Sequence, residues 1–293
     1  MEQLFITGAA GFLGTALLHR LATENYSICA LQREQKLLVE GVEILKGGLE
    51  DIFKLTNSVG KVDTVVHFAA TTKTDGSFAS NKRMIETNVT GTLNAYLLAK
   101  QNKAKRFIYA STAAVYGNSV KSLFDENAKT NPKSLYGLTK LIGENICESF
   151  SKPDEIITVL RFSNIYGPGQ GYGNLVPDTI KKALLGDFVV SSPDAVRDFI
   201  YVDDAIDAMV CALKHDTPGT LNIASGQGYS VRDVATAIAK LAGRKVTFKP
   251  NEHTIDYCVL NPHKATKLLG WRATTSLSKG LQRAWHYYEE RAL

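Results

Sequence analysis

Apolar residues in this chain fall into two kinds of pattern. Short continuous runs, Gln3–Thr7, Ser27–Leu31, Val42–Leu45, Thr64–Phe68, Arg106–Ala110 and Ile156–Leu160, lack a regular apolar–polar alternation. Such runs predict strands buried on both faces. Between them, apolar positions recur at helical spacing over Phe12–Thr23, Ala79–Asn102 and Ser134–Ser151. Buried strands alternating with helices predict an α/β fold built on a doubly wound parallel sheet. Beyond Arg161 the texture changes to a glycine-rich stretch, Tyr166–Gly173. Helical periods follow at Leu175–Leu185, Val231–Ala242, His263–Leu269 and Ser276–Glu290, with the segment Val196–Asp204 among them. This second part reads as a smaller, discontinuous cap over the carboxyl edges of the strands. No internal repeat, low-complexity tract or long linker interrupts the chain, so one cooperative unit with a cleft is expected.

Composition narrows the function classes. The 293 residues are 44% hydrophobic and 22% charged, an ordinary globular balance. The net charge of +5 is spread along the chain rather than massed in a block, which suits an anionic small molecule and gives no footprint for nucleic acid. Cys29, Cys147, Cys211 and Cys258 lie far apart, with no Cys-x-x-Cys or Cys/His cluster, so reduced buried thiols, no metal site and a cytoplasmic location are expected. The chain enters a strand at Leu4–Ile6 without a basic and then apolar leader, so no signal peptide is expected. No apolar run reaches the roughly 18 residues of a membrane span.

The turn after the first strand carries the first chemistry. Gly8, Gly11 and Gly14 follow a strand and open a helix, the context a dinucleotide pyrophosphate needs. Glycine permits the tight turn and close backbone approach, and the helix start offers free N–H groups to an anion. Phe12 and Leu13 lie within this turn. Residues 1–165 and 196–225 are therefore expected to form a Rossmann dinucleotide-binding domain, with 166–195 and 226–293 forming the substrate-binding cap. At the end of the second strand, where a carboxylate normally grips the adenosine ribose, stand Gln32 and Arg33. Gln32 can bond a hydroxyl and Arg33 can pair with a 2′-phosphate, which leans the cofactor toward NADP(H) over NAD(H). The alternative for Arg33 is a solvated surface cation. Gly48 and Leu49 are placed at the adenine edge.

Tyr136 and Lys140 stand four residues apart in a helical period, hence on one face. An ammonium beside a phenol favours the phenolate, which would let a group that ordinarily titrates near pH 10 exchange protons at neutral pH. The combination points to hydride transfer to and from an alcohol carbon.

The ordered motifs resemble the extended short-chain dehydrogenase/reductases, in particular the nucleotide-sugar epimerase/dehydratase family. They are Gly8-x-x-Gly11-x-x-Gly14, His67-Phe-Ala-Ala70, Asn88 to Asn94, Ser111-Thr112 before Val115-Tyr116-Gly117, Tyr136/Lys140, Arg161 to Pro168, Arg197 to Asp204 and Leu269-Gly-Trp271. The resemblance covers nearly the whole chain. It implies that Tyr136 is the general acid/base on the sugar hydroxyl, and that Lys140 lowers its pKa and holds the nicotinamide ribose. It makes Thr112 the hydroxyl that bonds the same substrate oxygen, with Ser111 as the alternative. It brings Ala69, Ala70, Asn88 and Phe162 to the cofactor, Asn88 also as a structural anchor of the strand bearing Thr112. Asn164, Asn174 and Arg197 are implied for the substrate phosphates, Arg197 alternatively pairing with Asp198 or Asp203. Tyr116 either lines the sugar pocket or packs, and His67 reads as a packed residue. Relatives often carry a second phosphate-binding arginine in the cap; here Lys249 and His253 are the substitutes available. Relatives also often pair as homodimers, so a second copy is a possible partner.

Sugar-nucleotide dehydratases of the family place acidic residues after the catalytic threonine. This chain has Ala113 and Ala114 there, and an alanine transfers no proton. The expected activity is therefore NAD(P)-dependent epimerisation of a nucleotide sugar at C4 through a transient keto sugar. The alternatives are NADPH-dependent reduction of a nucleotide-linked 4-keto-6-deoxy sugar, and a non-catalytic dinucleotide sensor.

Overall fold

The continuous apolar runs become the interior of a seven-stranded sheet. The chain is described from a computed structural model over residues 1–33, 39–118, 123–249 and 256–292. In chain order the elements are β1 (Glu2–Thr7), α1 (Phe12–Leu21), β2 (Tyr26–Gln32), β3 (Val42–Lys46), α2 (Ile52–Val59), β4 (Thr64–His67), α3 (Phe78–Ile85), α4 (Gly91–Gln101) and β5 (Arg106–Thr112). There follow β6 (Leu123–Phe124), α5 (Leu135–Phe150), β7 (Ile156–Phe162), β8 (Asn164–Tyr166), α6 (Leu175–Leu185), β9 (Phe188–Val190), β10 (Val196–Tyr201) and α7 (Val202–Lys214). The chain ends with β11 (Gly219–Ile223), β12 (Gly228–Ser230), α8 (Val231–Ala242), β13 (Val246–Phe248), β14 (Tyr257–Leu260), α9 (His263–Leu269) and α10 (Leu277–Glu289).

The large sheet has the order β11-β7-β5-β4-β1-β2-β3. Ile6 of β1 pairs in parallel with Ala30 of β2 and Val66 of β4, and all three are fully buried. The order reverses beside β1, which is the topology of a doubly wound sheet. Phe5, Val65, Phe107 and Tyr109 from three central strands pack with Tyr96, Leu98 and Ile52 from the helices. Each such side chain contributes about 1.5–3 kcal/mol on leaving water.

The long helix predicted over Ala79–Asn102 is interrupted. A π-helical turn, Glu86–Thr90, separates α3 from α4. The extra residue of such a turn re-aims a side chain, and the residue at its centre is Asn88.

The chain divides into two compact units. Unit 1 holds Met1–Gly117, Thr130–Arg161 and Met209–Leu221; unit 2 holds Asn118–Lys129, Phe162–Ala208 and Asn222–Leu293. Unit 2 contains a five-stranded sheet in which β12, β10, β14 and β6 follow one another and β8 pairs with β10, plus the pair β13–β9. Asp204, at the start of α7, accepts hydrogen bonds from the backbone N–H of Thr274 and Thr275, and its carbonyl accepts from the Trp271 indole N–H. Those bonds account for the acidic end of the Arg197–Asp204 motif and for the tryptophan of Leu269-Gly-Trp271. Among the described residues, no helix is long and apolar enough to cross a membrane.

Candidate active site

The turn between β1 and α1 is built on the absence of side chains. Gly8 has φ +70°, and a Cβ there would lie 2.5 Å from the Ala69 nitrogen. A Cβ on Gly14 would run into the Gly8 carbonyl. Gly11 N-caps α1 with no side-chain hydrogen bond, which leaves the first N–H groups of the helix to a ligand. Phe12 and Leu13 begin α1, half-buried. A cradle that a single methyl would fill fits the pyrophosphate of a nicotinamide dinucleotide. Ala69 and Ala70 follow β4, and the Ala69 N–H donates to the Thr7 hydroxyl.

At the carboxyl end of β2, Gln32 is 4% exposed. The exposed Arg33 guanidinium lies 3.4 Å from the Glu50 carboxylate. Glu50 follows Gly48 and Leu49, and its carboxylate lies close over Gly48, where a Cβ would collide with it. A carboxylate thus stands at this end of the sheet, supplied by the loop after β3. Reading β2 alone could not find it.

Tyr136 and Lys140 lie on α5, whose N-cap Ser134 accepts from the Gly137 N–H. Thr112 ends β5, where its hydroxyl accepts from the Ala114 N–H, and it lies near enough to the Tyr136 phenol to lower its pKa. The structure brings Thr112, Tyr136 and Lys140 together within unit 1. Burial pushes the Tyr136 phenol up to about 12, partly countered by Thr112. The expected depression of this phenol is therefore absent from the chain by itself. The Lys140 ammonium lies 4.3 Å from the centre of the Tyr109 ring, and burial draws its pKa down to about 8.

Asn88 accepts from the Thr71 N–H and donates to the Thr71 carbonyl and the Thr139 hydroxyl. It ties the loop after β4 to α5 rather than anchoring β5, and its amide is engaged in that role. His67 is fully buried between the hydroxyls of Thr7 and Thr92, which share its two ring nitrogens, and burial lowers it to about 3. It is a neutral packing residue.

Ser111 is held away from the substrate contact offered for it, and Tyr116 takes the packed alternative. Ser111 donates its hydroxyl to Glu144 of α5. Tyr116 is 1% exposed, and its hydroxyl accepts from Arg161 Nη1 at 2.9 Å. Arg161 in turn forms a two-pronged pair with Glu144, Nε–Oε1 2.9 Å and Nη2–Oε2 2.6 Å. Sequence reading passed over Glu144, though its spacing four residues after Lys140 was available.

In unit 2, Phe162 is buried at the end of β7. Asn164 is exposed and donates to the Asp198 carbonyl; Asn174 N-caps α6 and donates to the Gly171 carbonyl. Arg197 pairs with Asp256, a partner not among those expected, and also donates to the Val196 and Asp256 carbonyls. The expected rival, Asp198, is buried and accepts from Ser225 and Gly226 instead. Lys249 is exposed, and His253 lies outside the described residues.

The doubly wound sheet, the glycine cradle and a helix-borne tyrosine–lysine pair beside a strand-end threonine define a short-chain dehydrogenase/reductase. The family model described as NAD dependent epimerase/dehydratase family matches residues 4–224, and the chain belongs to that family. The UDP-glucose 4-epimerase of Pisum sativum is 26% identical over 98% of this chain and 95% of its own length. The dTDP-D-glucose 4,6-dehydratase of Homo sapiens is 28% identical over 99% and 90%. The structure of MoeE5 in complex with UDP-glucuronic acid and NAD superposes with a TM-score of 0.90 at 26% identity, covering 99% of this chain and 100% of that one.

Proposed function

We propose that this protein is a nucleotide-sugar 4-epimerase working by reversible hydride transfer. The observation that carries the reading is the Thr112–Tyr136–Lys140 cluster followed by Ala113 and Ala114. Taking a hydride from one carbinol carbon and a proton from its hydroxyl needs one acid/base group. Eliminating water across two carbons needs more, and the turn after Thr112 supplies no carboxylate or other proton donor.

When bound, a nicotinamide dinucleotide supplies the acceptor and donor of one hydride. Gly8, Gly11 and the α1 N-terminus would hold its pyrophosphate, and Lys140 its nicotinamide ribose. Tyr136 takes the proton from the sugar C4 hydroxyl as the carbon is oxidised and returns it when the keto sugar is reduced on its other face. Thr112 bonds the same oxygen and offsets part of the burial penalty on the phenol. Arg197, Asn164 and Asn174 of unit 2 are proposed as groups for the substrate diphosphate, with Arg197 oriented by Asp256.

NAD(H), rather than the NADP(H) expected from Arg33, is the cofactor the Arg33–Glu50 pairing favours. Glu50 neutralises Arg33 and would repel a 2′-phosphate at that place, whereas it can accept from a ribose hydroxyl. A lone Arg33 leans toward NADP(H); an Arg33 paired with Glu50 does not.

The test is conversion of UDP-glucose to its C4 epimer, followed by NMR with NAD⁺ or NADP⁺ supplied. Tyr136→Phe is expected to lower turnover by roughly two to four orders of magnitude. Loss of water from the sugar, net consumption of reduced cofactor, or cofactor retention without turnover on a panel of nucleotide sugars would each overturn the reading.

A further inference from the structure

Thr112 is only as well placed as the short segment that carries it. That segment runs from Ser111, through the 3-10 turn Ala113–Val115, to Tyr116. Both of its ends are fastened to one buried ion pair. Ser111 donates to Glu144, and Tyr116 accepts from Arg161 while the guanidinium lies 4.8 Å from the centre of the Tyr116 ring. Glu144 and Arg161 close the arrangement with two hydrogen bonds to each other, their side chains 6% and 8% exposed. Glu144 belongs to α5, where Tyr136, Lys140 and Glu144 follow one another at four-residue spacing. Arg161 belongs to β7. On its other side the same segment touches α5 directly: a Cβ on Gly137 would lie 2.6 Å from the Ala114 carbonyl oxygen.

A buried ion pair is a poor way to gain stability. Desolvating two charges costs several kcal/mol each, and an apolar pair of similar volume often does as well. What a bidentate guanidinium–carboxylate pair supplies is a fixed distance and angle. Here that geometry links the strand, the turn and the helix whose separation sets the approach of Thr112 to Tyr136.

We infer that Glu144 and Arg161, acting through Ser111 and Tyr116, are positioning residues that set the register of Thr112 against Tyr136 and Lys140. The inference rests on the catalytic reading above. Neither charged group meets the substrate or moves a proton; each acts by holding other residues. A displacement on the scale of 1 Å between reacting groups costs about a hundredfold in rate, so the effect belongs in turnover rather than in binding.

The experiment compares Glu144→Gln and Ser111→Ala with Tyr136→Phe, using NAD⁺ and UDP-glucose at a temperature where each variant is folded by circular dichroism. Ser111→Ala leaves the ion pair in place and keeps the question answerable if Glu144→Gln fails to fold. Expected are a fall in kcat of about tenfold to a hundredfold for Glu144→Gln and about threefold to tenfold for Ser111→Ala. KM for UDP-glucose should stay within about threefold, and the double variant should be no worse than Glu144→Gln. A purely structural role would lower the unfolding midpoint and leave the kcat of folded protein within twofold, which overturns the inference. Full activity in Tyr136→Phe overturns the catalytic reading and this inference with it. An inactive Tyr136→Phe beside an unchanged Ser111→Ala and Glu144→Gln overturns this inference alone.

Discussion

At the scale of the residue, identity matters less than the partner it finds. Arg33 by itself is a phosphate reader; beside Glu50 it is half of an exposed pair, 3.4 Å apart. Such a pair adds little stability, so its consequence lies in what it excludes. Glu50→Gln is expected to strengthen NADP⁺ binding by about tenfold or more while leaving NAD⁺ within about threefold, read by fluorescence titration. A parallel change for both cofactors would count against Glu50 as the discriminator. The same lesson separates Ser111 from Thr112. Neighbours in sequence, they take different partners, and only the structure tells which one is held by Glu144. The glycines were legible because a missing Cβ is visible in the letters. The partners of Ser111, Arg33 and Arg197 were not, since pairing across 33, 17 and 59 positions leaves no periodic trace.

At the scale of the element, six strands of the large sheet were readable to within a residue or two, because parallel strands covered on both faces must be apolar throughout. Other elements escaped: α7, with 13 residues, and β11, with five, were not read from the sequence, and α2, with eight residues, and β8, β9 and β13, with three each, carry too little period to declare themselves. The π turn also escaped. Its extra residue lets Asn88 reach both the Thr71 backbone and Thr139, so three hydrogen bonds depend on one amide. Asn88→Ala would leave a backbone N–H and a carbonyl without their partners. It is expected to lower stability by about 1–3 kcal/mol, seen in urea as a lower midpoint with an unchanged slope. A midpoint equal to that of the parent chain would refute the anchoring role.

At the scale of the whole molecule, folding is linked to pH through His67. The ring stays neutral in the fold down to about pH 3, against an ordinary value of 6.5. Between those limits the unfolded chain binds more protons, so stability rises with pH, is complete above about 6.5, and is lost as pH falls toward 3. One proton contributes a slope of up to about 1.4 kcal/mol per pH unit. From pH 7 to pH 4, His67→Gln should lose less unfolding free energy in urea than the parent; equal losses would exclude His67 as a source. The division into units has a consequence for synthesis. Unit 1 is made of three stretches of chain, the last ending at Leu221, and unit 2 is likewise made of three. A nascent polypeptide leaving the ribosome therefore cannot finish either body before the bulk of it has emerged, and early exposed strand edges must wait for segments still being translated.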